Sequence, residues 1–173
     1  MVLIGLMSGC GALENEGSPG ANQPPEVFLV NVPPDGYISA SSLVVQWYGT
    51  DVDGRIVRFD YTVVRATELD SVAATLPNPG GKEPVEVFID NILDDDFPYW
   101  ISVFADSVSK PTEDVVKLFA STEIADCDSV EVQGQNYPIN CISRVEPQYF
   151  FIRAIDDVDS TSTIKYRTFQ RTN

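Results

Sequence analysis

Apolar and polar residues alternate with a period of two in many short stretches of the chain from residue 26 onward. Because successive side chains of an extended strand point to opposite faces, this pattern predicts β-strands that each bury one face. It is clearest in SLVVQWYG (42–49) and RIVRFDYTVVR (55–65). The residues that these two stretches place on their predicted buried faces are Leu43, Val45, Trp47, Phe59, Tyr61 and Val63.

Further apolar stretches follow at fairly regular spacing and are separated by Gly, Pro, Asp and Asn, the residues that favour turns. They are EVFLVNV, VEVFI, YWISVFA, VVKLFAS, VEVQ, YFFIRAI and TIKYRTFQ. Many short strands broken by turns predict an all-β sandwich. The segment 110–126 is also compatible with a short helix that Thr112 would cap, but a strand is the preferred interpretation.

The segment LVVQWYGTDVDGRIVRFDYTVV (43–64) resembles strands B and C of a fibronectin type III or related immunoglobulin-like domain. In that family a core Trp ends strand B and an Ile-x-x-aromatic pattern starts strand C, and Trp47, Ile56 and Phe59 take these places. The motif W-x-G-x-D-x-D-G is also similar to repeats of bacterial surface lipoproteins. The resemblance implies an immunoglobulin-like or fibronectin type III-like β-sandwich, here with an extra hairpin or a short helix inserted.

Two segments match the F strand of this family. In LDDDFPYWISVFA (93–105), Leu93 precedes Tyr99 by six residues, as in the family's tyrosine corner. The segment 148–170 resembles an F strand, loop and G strand equally well. Both alternatives stay open, and residues 27–173 are expected to form one composite sandwich with a sub-boundary near residue 121.

The composition narrows the range of functions. Acidic residues outnumber basic ones 26 to 11, which gives a net charge of −15. A field of this sign repels phosphate backbones, so nucleic acid is not an expected partner. The chain contains no histidine, the usual general base at neutral pH and the commonest metal ligand. We therefore expect a protein that is not an enzyme.

The first residues resemble a bacterial lipoprotein signal. The apolar run Val2–Met7 leads into Ser8, Gly9 and Cys10, and in such signals the cysteine is lipidated and becomes the mature N-terminus. Residues 11–25 are rich in Gly, Pro, Asn and Glu, which is typical of a flexible linker. We expect residues 1–26 to be a signal remnant, a lipidation site at Cys10 and a linker. This implies an extracytoplasmic domain that a lipid anchors to the outer membrane or cell surface.

The two other cysteines, Cys127 and Cys141, form an even pair. In an extracytoplasmic chain such a pair predicts a disulfide. Two free buried thiols or half of a metal site are the alternatives, and the second is disfavoured because no histidine is present.

Carboxylates cluster in two predicted loops. Asp51 and Asp53 lie in the B–C loop, and Asp156, Asp157 and Asp159 lie in one candidate F–G loop. These loops emerge at the same end of such a sandwich, so the five carboxylates are a hypothetical calcium site. The alternative is ordinary turn chemistry, which also uses Asp and Gly.

The stretch LDDDFPYW combines acidic and aromatic residues. Tyr99 and Trp100, if exposed, could stack on a sugar ring or anchor a protein partner; the alternative is a core Tyr99 beside a solvated acidic turn. We expect an adhesion, spacer or assembly subunit that acts through contacts with a protein of the cell envelope or of an extracellular assembly. The alternative is an extracytoplasmic carbohydrate-binding module with calcium support and otherwise no cofactor.

Overall fold

We describe residues 21–39, 42–105, 112–120 and 123–171 of a computed structural model of the chain. Cys10, the predicted lipidation site, lies outside these described residues. Within them the chain forms ten β-strands and two short α-helices. Their bounds are β1 Glu26–Val30, β2 Tyr37–Ser39, β3 Ser42–Thr50, β4 Ile56–Arg65, α1 Ala66–Ala73, α2 Pro84–Asn91, β5 Ile101–Phe104, β6 Thr112–Lys117, β7 Glu123–Val132, β8 Gln135–Val145, β9 Pro147–Asp156 and β10 Lys165–Arg171.

The strands build two facing sheets and a separate two-stranded ribbon. One sheet has the order β1-β3-β6, and the other has the order β2-β10-β9-β4-β5. Pairing is antiparallel throughout the two sheets except between β2 and β10. The predicted all-β sandwich is therefore confirmed as the architecture. Strands from both sides of residue 121 share the five-stranded sheet.

The core between the two sheets consists of the faces that the alternating pattern predicted. Trp47, Val45 and Leu43 of β3 are buried against Phe59 and Tyr61 of β4, and Val63 is partly buried beside them. Further members of this core come from β1, β6, β9 and β10; they are Val27, Val116, Leu118, Phe150, Ile152, Ala154 and Phe169. Strand β6 also confirms the strand interpretation of residues 112–117.

The two helices cover the other face of the five-stranded sheet. Leu69 of α1 and Phe88 of α2 pack with Val64 and Phe151 of the sheet in a second apolar core. Strand β9 is consequently buried on both faces, which explains why its sequence is a continuous apolar run and not an alternating one. Neither of the two helices in the described ranges is long and apolar enough to span a bilayer.

The strand predicted at VEVFI was wrong, because these residues form most of α2. Pro84 opens the helix, where its missing N–H is not needed. The main-chain N–H of Glu83 donates to the carboxylate of Glu86 at 3.1 Å, a capping interaction. Val85 and Phe88, three residues apart, then lie on one helical face toward the sheet.

The two segments that match the family's F strand take different places in the five-stranded sheet. Strand β9 lies between β4 and β10 in the middle of the five-stranded sheet, whereas β5 is a short strand at its edge. Tyr99, just before β5, is 69% exposed. The expectation of a core Tyr99 is therefore wrong. The helix pair lies between β4 and β5, and the ribbon lies between β6 and β9.

Strands β7 and β8 form the ribbon, which packs mainly against itself. Cys127 and Cys141 join its two strands in a disulfide, as predicted. Directly paired residues of antiparallel strands share a face, and in this ribbon one face carries most of the apolar side chains near the tip. These exposed residues are Val130, Val132, Tyr137 and Ile139.

Replacing both Cys127 and Cys141 with serine should loosen the ribbon and leave the sandwich folded. In the chain-entropy model a cross-link over a separation of 14 residues contributes about 3 kcal/mol, and an isolated two-stranded ribbon is marginally stable in water. We expect limited proteolysis to cut between residues 123 and 145 of the variant. The urea midpoint from tryptophan fluorescence, which reports on the sandwich, should stay close to that of the unchanged protein. A large fall in that midpoint would contradict an independent ribbon.

Candidate functional site

The open side of the sandwich lies where β5 is too short to cover β4. Strand β5 pairs with β4 only over residues 58–61, whereas β9 pairs along the whole of β4 on the other side. Among the described residues, no strand pairs with 62–65 on the side away from β9. This half of β4 is therefore a free sheet edge.

A large groove runs along this free edge. Its volume is about 1070 Å³, and its lining includes four consecutive residues of β4, Tyr61 to Val64. Because consecutive strand residues point to opposite faces, a groove that contacts all four must follow the edge of the strand. The other walls come from α1 and α2, from β6 and its continuation, and from the segment before β5; their apolar members are Val72, Phe88, Ile92, Phe97, Pro98, Tyr99, Trp100, Ile101, Val115 and Phe119.

The rim of the groove leaves large apolar side chains in contact with solvent. Tyr99 is 69% exposed, Val115 52%, Ile101 51% and Phe119 42%. Single exposed apolar residues are common on soluble proteins, but a contiguous set around one groove is typical of a binding site.

Side-chain contacts join both ends of the stretch 61–65 of β4 to the β6 region. At one end the Tyr61 hydroxyl donates to the Asp114 carboxylate at 2.9 Å. Burial, and then this hydrogen bond, raise the pKa of Tyr61 to about 12, so the phenol remains a donor at neutral pH. At the other end the Arg65 guanidinium lies 5.0 Å from the centre of the Phe119 ring. The buried side-chain amide of Gln148 holds the main chain of Phe119, since it accepts from its N–H at 2.8 Å and donates to its C=O at 3.0 Å.

A buried arginine fixes the wall that carries the aromatic residues. The Arg153 guanidinium donates to the carboxylates of Asp95 at 2.6 Å and Asp60 at 3.3 Å. It also lies 4.6 Å from the centre of the Trp100 ring. The indole N–H of Trp100 donates to the carbonyl of Asp94 at 2.8 Å. Trp100 is thus held as part of the wall, whereas Tyr99 projects into solvent.

Acidic groups predominate around the groove. Glu68 and Asp114 belong to its lining together with Lys117, and the Arg65 guanidinium lies beside the groove over the Phe119 ring. The exposed residues 94–96, all aspartates, immediately precede the aromatic wall. A ligand with positive charge at its ends would complement this surface.

The structure brings the two residues that the sequence singled out here, Tyr99 and Trp100, onto one wall of the groove. Sequence reasoning missed the opposite wall, Val115 and Phe119. A signal was present, because VVKLFA has apolar residues at both odd and even positions: Val116 and Leu118 face the core, and the other set faces outward. A strand at a sheet edge with two apolar faces indicates a second packing surface.

The two acidic loops do meet at one end of the sandwich. A carboxylate oxygen of Asp51 and one of Asp157 both border Gly54, where an added Cβ would lie 2.5 Å and 2.8 Å from them. Any side chain at Gly54 would therefore push these carboxylates apart. Asp53 accepts from the main-chain N–H of Gln23 at 3.0 Å, which joins the incoming chain to the same end.

The remaining carboxylates of these loops serve as hydrogen-bond acceptors and ion-pair partners. Asp157 accepts from the main-chain N–H of Arg55 at 3.3 Å and lies 3.5 Å from its guanidinium. Asp159 lies 3.7 Å from the Arg58 guanidinium. In the described part of the chain, no three His, Cys, Asp or Glu side chains are grouped so that they could hold a metal ion. Calcium binding by Asp51, Asp53, Asp156, Asp157 and Asp159 stays a prediction.

Asp156, which is buried, organises the loop after β9. It accepts from the main-chain N–H groups of Val158 at 2.9 Å and Ser160 at 2.8 Å, and from the Asn22 amide at 2.9 Å. Burial by itself would raise the pKa of this carboxyl, but the three hydrogen bonds outweigh it and hold the pKa below its ordinary value.

Asp156→Asn should therefore lower the free energy of unfolding at neutral pH. It should also reduce the loss of stability that acid causes. A carboxylate whose pKa is lower in the folded chain adds stability above its unfolded pKa of about 3.9, and that stability is lost as the pH falls through the folded value. We expect urea unfolding at pH 7 and pH 3 to show a larger acid-induced loss for the unchanged protein than for the variant. Equal losses would contradict this role of Asp156.

No protein family, curated protein or solved structure matches this chain. These comparisons therefore assign the chain to no family. The fold is described by its strand order alone. The function has to be inferred from the geometry of the groove and from the charges around it.

Proposed function

We propose that this protein is a non-catalytic binding subunit of the cell envelope, which holds an apolar segment of a protein partner in the groove along β4. The observation that carries the proposal is the set of exposed apolar side chains around a groove beside a free sheet edge. Burying such a rim against a partner is favourable because it removes apolar surface from water. Adhesion and assembly both require contacts of this kind.

An immunoglobulin-like topology is part of the proposal. The sheet β1-β3-β6 corresponds to strands A, B and E of such a domain. In the second sheet, the order β10-β9-β4-β5 corresponds to G, F, C and C′. The helix pair is then an insertion between C and C′, and the ribbon is an insertion between E and F. Strand order and the buried Trp47 on the B strand support this assignment.

The position of the groove suits a domain that is anchored through its N-terminal segment. Residues 22 and 23 are tied to Asp156 and Asp53 at the loop end of the sandwich. The free edge begins at Thr62, six residues along β4 from that end, which is about 20 Å. A lipid on Cys10 would therefore leave the groove on the part of the domain farther from the membrane. The proposed location is extracytoplasmic, on the outer membrane or cell surface.

Carbohydrate binding is the second candidate, and the exposed ring of Tyr99 favours it. Two features of the groove favour a protein ligand instead. The Trp100 ring already packs against Arg153, and its N–H is bonded to Asp94, so this ring is less available for stacking on a sugar. The walls are mostly apolar, whereas the hydroxyl groups of a sugar require several polar partners.

A matched pair of valine variants tests the proposal. Val115 lines the groove and is 52% exposed, whereas Val158 lies in the loop after β9 and is 62% exposed. Peptides selected from a displayed random library should bind the unchanged protein and Val158→Lys, and should bind Val115→Lys at least about tenfold more weakly. Peptides that bind both variants equally would overturn the groove as the binding site. Glycan-array binding that Tyr99→Ala abolishes, without any peptide binding, would favour the carbohydrate alternative.

A further inference from the structure

We propose that the ligand of this groove is an extended peptide with a continuous apolar run, which adds as a strand to the free edge of β4 over Thr62–Arg65. This inference rests on the proposed function, because it specifies how the partner would be bound. The added strand would lie in line with β5, in the place that β5 leaves uncovered. Strand addition of this kind takes its affinity from main-chain hydrogen bonds and its specificity from side-chain pockets.

Among the described residues, the stretch 62–65 of β4 has no strand partner on the side away from β9. In an antiparallel sheet, alternate residues of a strand direct their N–H and C=O groups to the same side. Strand β9 occupies one side along the whole of β4, and β5 ends its pairing at Tyr61 on the other side. Two alternate residues within 62–65 therefore direct their main-chain N–H groups toward the groove, whereas the C=O of Arg65, the N-cap of α1, belongs to the helix. The groove contacts consecutive β4 residues, so a peptide inside it can reach these groups.

The walls determine which side chains the added strand needs. Tyr61 and Val63 of β4 face the core between the sheets, and Val64 faces the core under the helices. A paired strand continues the same pleat, so its side chains alternate between these two sides. On the helix side they would meet Phe88 and Ile92, and on the other side the edge of β6, where Asp114 and Val115 line the groove.

Most side chains on both sides of the added strand would therefore be apolar, and Asp114 and Lys117 are the charged members of the β6 wall. A strand with one solvated face alternates apolar and polar residues, whereas a strand covered on both faces is a continuous apolar run. The expected ligand has about four consecutive apolar residues, which span about 13 Å and match the free edge.

The charges around the groove determine the ends of the ligand. Glu68 and Asp114 lie in the lining, and aspartates 94–96 precede the aromatic wall. Basic residues that flank the apolar run would complement these carboxylates, which outnumber the two cations at the groove, Lys117 and Arg65. A second copy of this chain is a poor occupant, because both copies carry a net charge of −15.

A backbone N-methyl scan tests strand addition directly. The probe is an acetylated and amidated six-residue peptide with four consecutive valine and isoleucine residues between two lysines. Its binding to the full domain is followed by NMR titration, and N-methyl groups are then placed one at a time along the peptide. N-methylation removes one donor and adds bulk on one edge of the strand. We expect binding to weaken about tenfold or more at alternate positions and to change little between them.

Two control measurements accompany the scan. A peptide with serine at every second apolar position and the same lysines should bind about tenfold more weakly, because one wall would then face polar groups. On binding of the parent peptide, the main-chain amides of two alternate residues within 62–65 should become protected from hydrogen exchange. Val115→Lys should abolish both effects, and Val158→Lys should preserve them.

The outcomes separate this inference from the function on which it rests. A parent peptide that binds in a Val115-dependent way with no alternation in the scan would overturn strand addition and leave protein binding intact. The same conclusion follows if this peptide fails to bind while library-selected peptides still bind at the groove. If neither the parent peptide nor any library peptide binds, the proposed function itself is overturned.

Discussion

Trp47→Ala should lower the free energy of unfolding by about 4 kcal/mol, because it removes the largest side chain from the core between the two sheets. Trp47 is fully buried. Its ring centre lies 6.1 Å from that of Phe59, 5.8 Å from that of Tyr61 and 6.3 Å from that of Phe150. Trp47 belongs to one sheet and its three neighbours to the other, so the cavity would weaken the packing that joins the sheets. Urea unfolding followed by circular dichroism measures the loss.

Two further variants separate the packing effect from other causes. The indole N–H of Trp47 is buried and has no hydrogen-bond partner among the described residues, so Trp47→Phe removes an unsatisfied donor together with part of the ring. We expect Trp47→Phe to cost clearly less than Trp47→Ala. Tyr48→Ala, at the next position on the outer face of β3, should cost about 1 kcal/mol because Tyr48 is 40% exposed. Similar losses for Trp47→Ala and Tyr48→Ala would contradict the central role of Trp47.

The strand faces could be predicted from the sequence because their pattern is local. Leu43, Val45 and Trp47 alternate with more polar residues, and only one side of β3 packs on the core. The same pattern misled the prediction at 85–89, where Val85, Val87 and Phe88 fit either a strand or a helix. Over so short a segment the two periods are hard to distinguish. The helix signals were Pro84 and the acidic residues 83 and 86, three positions apart.

The groove could not be predicted because it depends on contacts between distant segments. Within the described part of the chain, residues 62–65 lack a second strand partner because β5 begins at Ile101, after the segment that holds Trp100. That segment is fixed by Arg153 from β9, more than fifty positions later in the chain. Alternation within one strand carries no information about where a neighbouring strand begins. The convergence of the acidic loops was predictable only through the family resemblance, because the B–C and F–G loops of such a sandwich emerge at the same end.

Arg153→Met should lower the free energy of unfolding by about 3 kcal/mol, because it removes the buried cation that pairs with the buried carboxylate of Asp60. The side chains of Asp60 and Arg153 are only 4% and 5% exposed. Asp60 would retain the Ser102 hydroxyl at 2.7 Å and the Arg58 guanidinium at 3.4 Å. These remaining contacts keep the expected loss at the lower end of the range of about 3–5 kcal/mol for a broken buried pair.

The surface pair of Arg55 and Asp157 provides the matched control. Its atoms are 3.5 Å apart, but the Arg55 side chain is 74% exposed. Arg55→Met should cost less than about 1 kcal/mol, since exposed ion pairs contribute little. A double variant, Arg153→Met with Asp60→Leu, should recover part of the loss because no buried charge is left unpaired. A double variant as unstable as the sum of its single changes would contradict a coupled pair.

Arg153 also connects stability to the groove, and this makes its variant informative about function. The same guanidinium holds Asp95 and packs on the Trp100 ring, so Arg153→Met should loosen the aromatic wall beside the free edge of β4. The six-residue peptide probe should then bind more weakly even where the variant remains fully folded, as judged by circular dichroism. Val115→Lys acts from the opposite wall and leaves Arg153 in place. If the two changes weaken peptide binding independently, their effects on the binding free energy should add. Unchanged peptide affinity in a folded Arg153→Met protein would mean that the aromatic wall does not contribute to binding.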